Sequence, residues 1–239
     1  MKIISVDWDY FVKEDARLDW GHSENGFFLN QAWALRRMDF HGAIGSGETP
    51  KVTDLTKLVP FLGNEKLVGV MGFVGQVKMV AVAESHLAIL QLLDGKRGPH
   101  EIYNVDAHHD LGYNDDPGKD RSRVNCGSWG KYLHNLGKVK SWTQCYPTWR
   151  MESAEDFPKL PNTSQVFSDD PVLNMPRGFV GKVDALFICR SGCWVPPEYD
   201  KRFTALCESL TVKPLPERSV NTGELKPGDK IEVVGLDGK

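Results

Sequence analysis

Aspartate and histidine side chains alternate in one short segment that follows an apolar run. The segment DAHHD places Asp106 and Asp110 on either side of His108, two residues apart in each direction. Because alternate residues of an extended chain point to the same side, the three side chains could act on one ion. Carboxylate oxygens and imidazole nitrogens are common ligands of divalent cations. The segment therefore predicts a metal site.

Two further segments offer ligands of the same kinds. Asp7 and Asp9 alternate at the end of a first apolar run, and His86 follows another. Each has a simpler explanation, because an Asp at a strand end often caps the chain or faces water, and a His at a helix start often forms a local hydrogen bond. The occurrence of all three segments at the ends of apolar runs favours one shared metal site.

The apolar runs belong to an alternation of strands and helices. Several predicted strands are continuously apolar, which indicates burial on both faces, and a β-α-β-α order is typical of a parallel sheet covered by helices. In such sheets ligands bind beyond the carboxyl ends of the strands, where these Asp and His residues lie. The predicted strands are 2–8, 77–83, 101–106, 139–146 and 184–190, with a weaker one at 67–74, and the predicted helices are 28–39, 85–94, 127–136 and 199–210.

Two stretches rich in Pro, Asp, Asn, Ser and Gly, 111–126 and 150–182, are predicted to be long loops. The length of 239 residues suggests one α/β catalytic domain over 1–210. Residues 211–239 form a predicted C-terminal extension, in which PGDKIEVVGLDGK suggests a small hairpin.

Composition limits the classes of partner. Twenty-nine basic and 32 acidic residues give a net charge of −3, which offers no general basic surface for nucleic acid or an anionic membrane. The five Cys residues include no CxxC pair, and the acidic start of the chain does not resemble an export signal, so we expect reduced thiols and a cytoplasmic location. Homo-oligomerisation is left open by the sequence.

The motifs resemble those of the ureohydrolases, the arginase and agmatinase superfamily. VDAHHD (105–110) resembles their D-A-H-x-D motif, SVDWD (5–9) resembles their S-x-D-x-D strand, and AESH (83–86) stands where their first His ligand stands. In ordinary members S-x-D-x-D follows D-A-H-x-D, whereas here it opens the chain. Together with CRSGCW (189–194), this rearranged order is similar to the UPF0489 group, which includes peptide arginases of ribosomal peptide (RiPP) biosynthesis.

The resemblance implies a three-layer arginase-like fold, in which helices flank a mainly parallel sheet, and a cofactor of two Mn²⁺ ions. An oxygen-rich ligand set with two imidazoles suits Mn²⁺ better than Zn²⁺. The implied reaction is hydrolysis of a guanidino group, which releases urea and leaves ornithine. The six implied ligands are Asp7, Asp9, His86, Asp106, His108 and Asp110.

An enzyme that cleaves arginine needs a carboxylate to hold the guanidinium and a group to protonate the departing amine. Glu24 is the candidate carboxylate, although it could instead cap a helix or face water, and Glu84 and Glu198 are the next candidates. His22 and His109 are the candidate proton shuttles.

Asn125 and Ser128 lie in NCGSWG, where ureohydrolases place residues that contact substrate. The same segment also has the character of a helix start, with Ser128 in its first turn, and this second interpretation is favoured.

The expected substrate is an arginine side chain within a precursor peptide, because the sequence does not match the ureohydrolase segments that recognise free arginine. The predicted loops could flank an open cleft, and a strand edge near 230–236 could pair with a peptide main chain. The alternatives are a small guanidino substrate such as agmatine, another metal-dependent C–N or phosphoester hydrolase, and a non-catalytic metal- or partner-binding module.

Overall fold

Nine strands occur in the part of the chain that the computed structural model describes, which is residues 1–13, 33, 38–39, 51–52, 77–113, 115–150, 152–218 and 232–235. In chain order they are β1 Lys2–Asp7, β2 Met38–Asp39, β3 Lys51–Val52, β4 Met79–Ala83, β5 His100–Val105, β6 Val139–Tyr146, β7 Thr163–Phe167, β8 Ala185–Cys189 and β9 Glu232–Gly235.

Within these described residues, seven strands form one sheet in the order β7-β6-β5-β1-β8-β4-β9, and β2 pairs with β3 separately. The six strands from β7 to β4 are all parallel, and β9 joins the sheet antiparallel to β4. The predicted α/β fold with a mainly parallel sheet is therefore confirmed. Of the extension predicted over 211–239, the structure describes 211–218 and β9.

Strands β1, β4, β5, β6 and β8 occur where the sequence predicts them, because their apolar runs fill the middle of the sheet. The strand predicted at 67–74 lies outside the described residues, as does most of the helix predicted over 28–39. The long loop predicted over 150–182 is wrong in one part, since it contains β7. The sequence of β7, TSQVF, is largely polar because the strand is half exposed at the edge of the parallel sheet.

Helices cover both faces of the sheet. Those in the described part of the chain are α1 Ile89–Leu92, α2 Trp129–Asn135 and α3 Asp200–Ser209, which confirms the predictions over 85–94, 127–136 and 199–210. None of the described helices is long and apolar enough to cross a membrane.

Alternation along the strands divides the core into two layers. Ile4 and Val6 of β1 face one core, together with Phe203 of α3, whereas Ile3 faces the other core with Leu90 of α1 and Leu133 of α2. The molecule is therefore a helix–sheet–helix sandwich. Residues at odd positions of β1 point toward α1 and α2.

The order of the strands places a topological switch at β1. In the sheet, β5, β6 and β7 lie on one side of β1, and β8 and β4 lie on the other; the chain crosses from β4 to β5 and then continues outward through β6 and β7. Loops that follow strands on the two sides of such a switch diverge and leave a crevice at the carboxyl edge. The ends of β1, β4 and β5 all reach this edge.

A buried chain of ion pairs fixes the ends of β4 and β8. Arg190 follows β8 and contacts Glu84, which follows β4; its Nη1 also lies 3.2 Å from Asp200 Oδ2 on α3. Arg218 forms an ion pair with the same Asp200, and its Nη1 and Nη2 each donate a 2.9 Å hydrogen bond to main-chain carbonyls. Two cations and two carboxylates thus balance one another.

We expect Arg218→Met to destabilise the fold by about 3–5 kcal/mol, because it leaves Asp200 buried with one partner fewer and two carbonyls without donors. Urea denaturation of the metal-free protein measures the change. Arg97→Met, at an exposed position, serves as the matched control and should stay within about 0.5 kcal/mol of wild type. A loss below about 1 kcal/mol in Arg218→Met would show that the ion pairs contribute little.

Candidate metal centre

Three strand ends bring the predicted ligands to one place. Asp7 is the last residue of β1, Asp106 follows β5 directly, and His86 opens a 3₁₀ turn, His86–Ala88, after β4. The turn begins at Ser85, whose hydroxyl accepts a 3.2 Å hydrogen bond from the Leu87 N–H. The residues that the structure brings together here are Asp7, Asp9, His86, Asp106, His108 and Asp110.

Three carboxylates converge on one nitrogen of His86. Its Nδ1 lies 2.9 Å from Asp110 Oδ2, 3.1 Å from Asp106 Oδ2 and 3.2 Å from Asp7 Oδ2. The other ring nitrogen, Nε2, lies 2.5 Å from Ser5 Oγ. All of these side chains are buried, so the group is shielded from solvent.

A second group shares Asp106 with the first. His108 Nδ1 lies 2.8 Å from Asp9 Oδ2 and 3.7 Å from Asp106 Oδ1. In each of the sets Asp7–His86–Asp106 and Asp9–Asp106–His108, the candidate ligand atoms lie within 4.8 Å of one another. Either set could hold a metal ion, and Asp106 belongs to both.

Main-chain groups fix the carboxylates. The His108 N–H donates to Asp106 Oδ1 at 2.8 Å, the Ala107 N–H donates to Asp9 Oδ1 at 3.3 Å, and the Asp9 N–H donates to Asp7 Oδ1 at 3.1 Å. These hydrogen bonds leave other carboxylate lone pairs directed into the cluster.

The cluster carries more negative charge than its histidines can balance. Burial, together with the charges of Asp7 and Asp106, raises the pKa of Asp9 well above its ordinary value. Burial and the charge of Asp106 raise the pKa of Asp110 to about 8. Burial acts to raise the pKa of Asp106 as well, but hydrogen bonding to His108 and His86 outweighs it and leaves the pKa low. Without a cation, the cluster therefore has to retain protons.

The donor set fits a divalent cation. His86 Nδ1 is buried and forms no well-aligned hydrogen bond, although three carboxylate oxygens surround it. If Nε2–H donates to Ser5, a neutral imidazole turns the Nδ1 lone pair toward those oxygens. A cation between them would satisfy the nitrogen and the carboxylates together.

A row of buried polar residues below the ligands was not identified from the sequence. Ser5, Asn104 and Gln144 are paired in register across β1, β5 and β6. Ser5 contacts His86, and Asn104 Nδ2 donates to Asp106 Oδ2 at 3.2 Å. Gln144 Nε2 donates to the Asp106 and His108 carbonyls at 3.2 and 2.8 Å. Of the three, only Ser5 stands out in the sequence, as a polar residue among the apolar residues of β1, because β5 and β6 contain other polar residues.

Residues at the start of α2 hold Asp110 in position. Its φ of 54° lies in the left-handed region, and its Oδ2 accepts a 2.6 Å hydrogen bond from Trp129 Nε1. The Gly130 N–H donates to the Asp110 carbonyl at 2.9 Å, and a Cβ at Gly130 would lie 2.6 Å from the Trp142 ring. Glycine is therefore required for the helix to approach this loop.

Aromatic rings flank both imidazoles. Phe187 stacks on His86 with ring centroids 5.7 Å apart and an interplanar angle of 10°, and Trp129 lies 5.0 Å from the same ring. Trp194 lies 4.6 Å from His108. These rings restrict the orientation of the histidines and lower the local polarity.

The structure also locates other predicted site residues. His109 Nδ1 accepts the Leu111 N–H at 3.0 Å; burial and the charge of His108 lower the pKa of His109 to about 4, so its ring is neutral at pH 7. Ser128 Oγ accepts the Asn125 N–H at 3.0 Å, an arrangement typical of a helix start. His22 and Glu24 lie outside the described residues.

Of the alternative carboxylates, Glu84 is paired with Arg190, and Glu198 lies in the short helix Pro197–Tyr199. All five cysteines are free thiols.

No family model matches the chain, and no match was found among curated proteins or solved structures.

We expect Ser5→Ala to weaken divalent-metal binding by about 10–100-fold, because it removes the group that orients His86 through Nε2. Calorimetric titration of the metal-free protein with MnCl₂ measures the affinity. Ser164→Ala, on β7 at the far side of the sheet, is the matched control and should bind as wild type does. Unchanged affinity in Ser5→Ala would contradict the orienting role of the polar row.

Proposed function

We propose that the chain is an arginase-like, manganese-dependent hydrolase that converts arginine side chains of a precursor peptide into ornithine and urea. The observation that carries the proposal is the sharing of buried Asp106 by two Asp/His groups at the carboxyl edge of the sheet. A carboxylate shared in this way is what a dinuclear centre requires.

Charge supports two ions rather than one. The cluster contains four carboxylates, Asp7, Asp9, Asp106 and Asp110, which two divalent cations would neutralise. Because the ligand set is rich in oxygen and contains two imidazoles, Mn²⁺ is the favoured metal. Asp7, His86 and Asp110 would hold one ion, Asp9 and His108 the other, and Asp106 both.

The reaction adds water to the guanidino carbon. When bound, paired divalent cations lower the pKa of water and so supply a nucleophile at neutral pH. The bond from carbon to the side-chain nitrogen then breaks, and the nitrogen takes a proton, so that urea and the ornithine amine are the products. Asp106, held by the His108 N–H and Asn104, keeps the centre rigid through these changes.

The chain's other candidates have distinct roles in this proposal. Glu24 holds the guanidinium, and His22 donates the proton to the departing nitrogen. His109 is neutral at pH 7 and its Nδ1 is occupied, so its role is that of a hydrogen-bond donor through Nε2. Asn125 and Ser128 are the remaining candidates for substrate contact.

The resemblance of DAHHD, SVDWD and AESH to ureohydrolase motifs supports a guanidino substrate over other classes. The rearranged order of these motifs, which resembles that of the peptide arginases, supports a peptide substrate. The lack of the ureohydrolase segments that recognise free arginine supports it as well. The proposed partner is therefore an arginine-containing peptide, not a nucleic acid or a membrane, and the proposed location is the cytoplasm.

We expect loss of a ligand from only one of the two Asp/His groups to remove only one of the two metal ions. His86→Ala and His108→Ala should each retain about one Mn²⁺ per chain, whereas Asp106→Ala should lose both. Elemental analysis after gel filtration measures the content, with His134→Ala on α2 as a control for loss of an imidazole elsewhere. Full metal occupancy in Asp7→Ala and Asp9→Ala would contradict this assignment of ligands.

We expect the Mn²⁺-loaded protein to release urea from an arginine-containing precursor peptide and to reduce the mass of that peptide correspondingly. Asp106→Asn should lower the rate by more than about 100-fold, because the shared ligand is weakened. Asp94→Asn, which changes an exposed Asp paired with Arg121, is the matched control.

Free arginine, agmatine and p-nitrophenyl phosphate are assayed in parallel. Turnover of free arginine or agmatine without conversion of any peptide would replace the peptide by a small guanidino substrate. Release of phosphate alone would make the protein a phosphoester hydrolase. Metal binding without any turnover would favour a non-catalytic module.

A further inference from the structure

A second polar cluster lies where β6 and β7 end. The guanidinium carbon of Arg150 lies 3.6 Å from the ring centroid of Tyr146, the last residue of β6, and 4.8 Å from that of Phe167, the last residue of β7. Stacking on two rings holds the guanidinium in a fixed orientation. We name Arg150, Glu152, Tyr113 and Tyr146 the arginine–glutamate cluster.

The cluster leaves strong hydrogen-bonding groups unused. The Arg150 side chain is only 3% exposed, yet Nη1 and Nη2 have no hydrogen-bond partner. Glu152 accepts a 2.5 Å hydrogen bond from the Tyr113 hydroxyl at Oε1, whereas its Oε2 has no hydrogen-bond partner and forms only a long ion pair, 4.0 Å from Arg150 Nη1. Buried charged groups that lack hydrogen bonds are costly, so this long ion pair is typical of a site that is completed by a ligand.

The cluster borders the metal centre. The Tyr113 ring stacks on His109, the neighbour of His108 in the chain, with centroids 4.1 Å apart. The hydroxyl of the same Tyr113 donates to Glu152 Oε1, so a single tyrosine side chain links the Glu152 carboxylate to His109. A substrate held here would therefore lie beside the reacting centre.

The charges of the cluster select the class of ligand. A second guanidinium would be repelled by Arg150, and an anion would be repelled by Glu152. A neutral amide group has one acceptor and one donor, which match the free N–H groups of Arg150 and the free oxygen of Glu152. Main-chain amides occur on both sides of every arginine within a peptide.

We propose that Arg150 and Glu152 bind a main-chain amide of the substrate next to the arginine that reacts. The amide carbonyl accepts from Arg150 Nη1 or Nη2, and an amide N–H donates to Glu152 Oε2. This subsite rests on the proposed function and deepens it, because it gives the chain a means to prefer an arginine flanked by main-chain amides over a guanidinium that lacks them.

The test compares two probes that differ only in flanking amides. Calorimetry measures the binding of Nα-acetyl-arginine N-methylamide and of butylguanidine to the Mn²⁺-loaded protein, and urea release is measured in parallel. Wild type should prefer the amide probe, and Arg150→Gln should reduce that preference by about 10–100-fold, which is the usual effect of losing a charged hydrogen bond. Arg97→Gln, at an exposed position, should keep the preference.

Two further variants guard against a loss of folding. Glu152→Gln preserves the shape of the side chain but removes its negative charge. Arg150→Lys keeps the positive charge but loses the forked N–H donors of the guanidinium. Both should reduce the preference for the amide probe while circular dichroism and melting temperature stay near wild type.

Each outcome separates the subsite from the reaction. An unchanged preference in Arg150→Gln and Glu152→Gln, or tighter binding of Nα-acetyl-arginine than of its N-methylamide, would overturn the proposal. Preference for the amide probe without urea from either probe would support the subsite and overturn the proposed reaction. Urea from both probes at equal efficiency in wild type would support the reaction and overturn the subsite.

Discussion

The concentration of four carboxylates in a buried space is the constraint on which the rest of the site depends. Such a group repels itself, and burial deprives it of the water that would stabilise the charge. Hydrogen bonds from main-chain N–H groups, from the amide of Asn104 and from the indole of Trp129 partly stabilise these carboxylates. Even so, burial and the neighbouring carboxylates raise the pKa values of Asp9 and Asp110. A cation between these carboxylates would supply the missing balance.

The strand order explains how distant segments meet without a long loop. β8 lies between β1 and β4, so His86 has to reach over the end of β8 to contact Asp7. β8 allows this because Phe187 offers a flat ring beneath the imidazole and Arg190 turns to the ion pairs with Glu84 and Asp200. The end of β8 therefore supports His86 and leaves space for it, although β8 supplies none of the six predicted ligands.

The strand ends that meet in the site were predictable, whereas the polar contacts between strands beneath it were not. DAHHD and DWD predict ligands because alternation and residue type are local properties, and the apolar runs predicted β1, β4, β5, β6 and β8. Ser5, Asn104 and Gln144 gain their role only from the register of three strands, which one sequence does not specify. Strand β7 was missed because its half-exposed sequence is polar, and Arg150 and Glu152 were missed with it, inside the same predicted loop.

The ion pairs behind β4 have a consequence for how the sequence can change over evolution. Glu84 lies two residues before His86, and its charge is balanced through Arg190, Asp200 and Arg218 in turn. Replacing any one of the four by a neutral residue leaves a neighbouring charge without its counter-charge in the interior. Replacing one acidic and one basic member together keeps the net charge of the group at zero. Descendants of this chain should therefore retain all four residues or lose them in pairs, so that Asp200 on α3 is constrained together with the strand end that leads to His86.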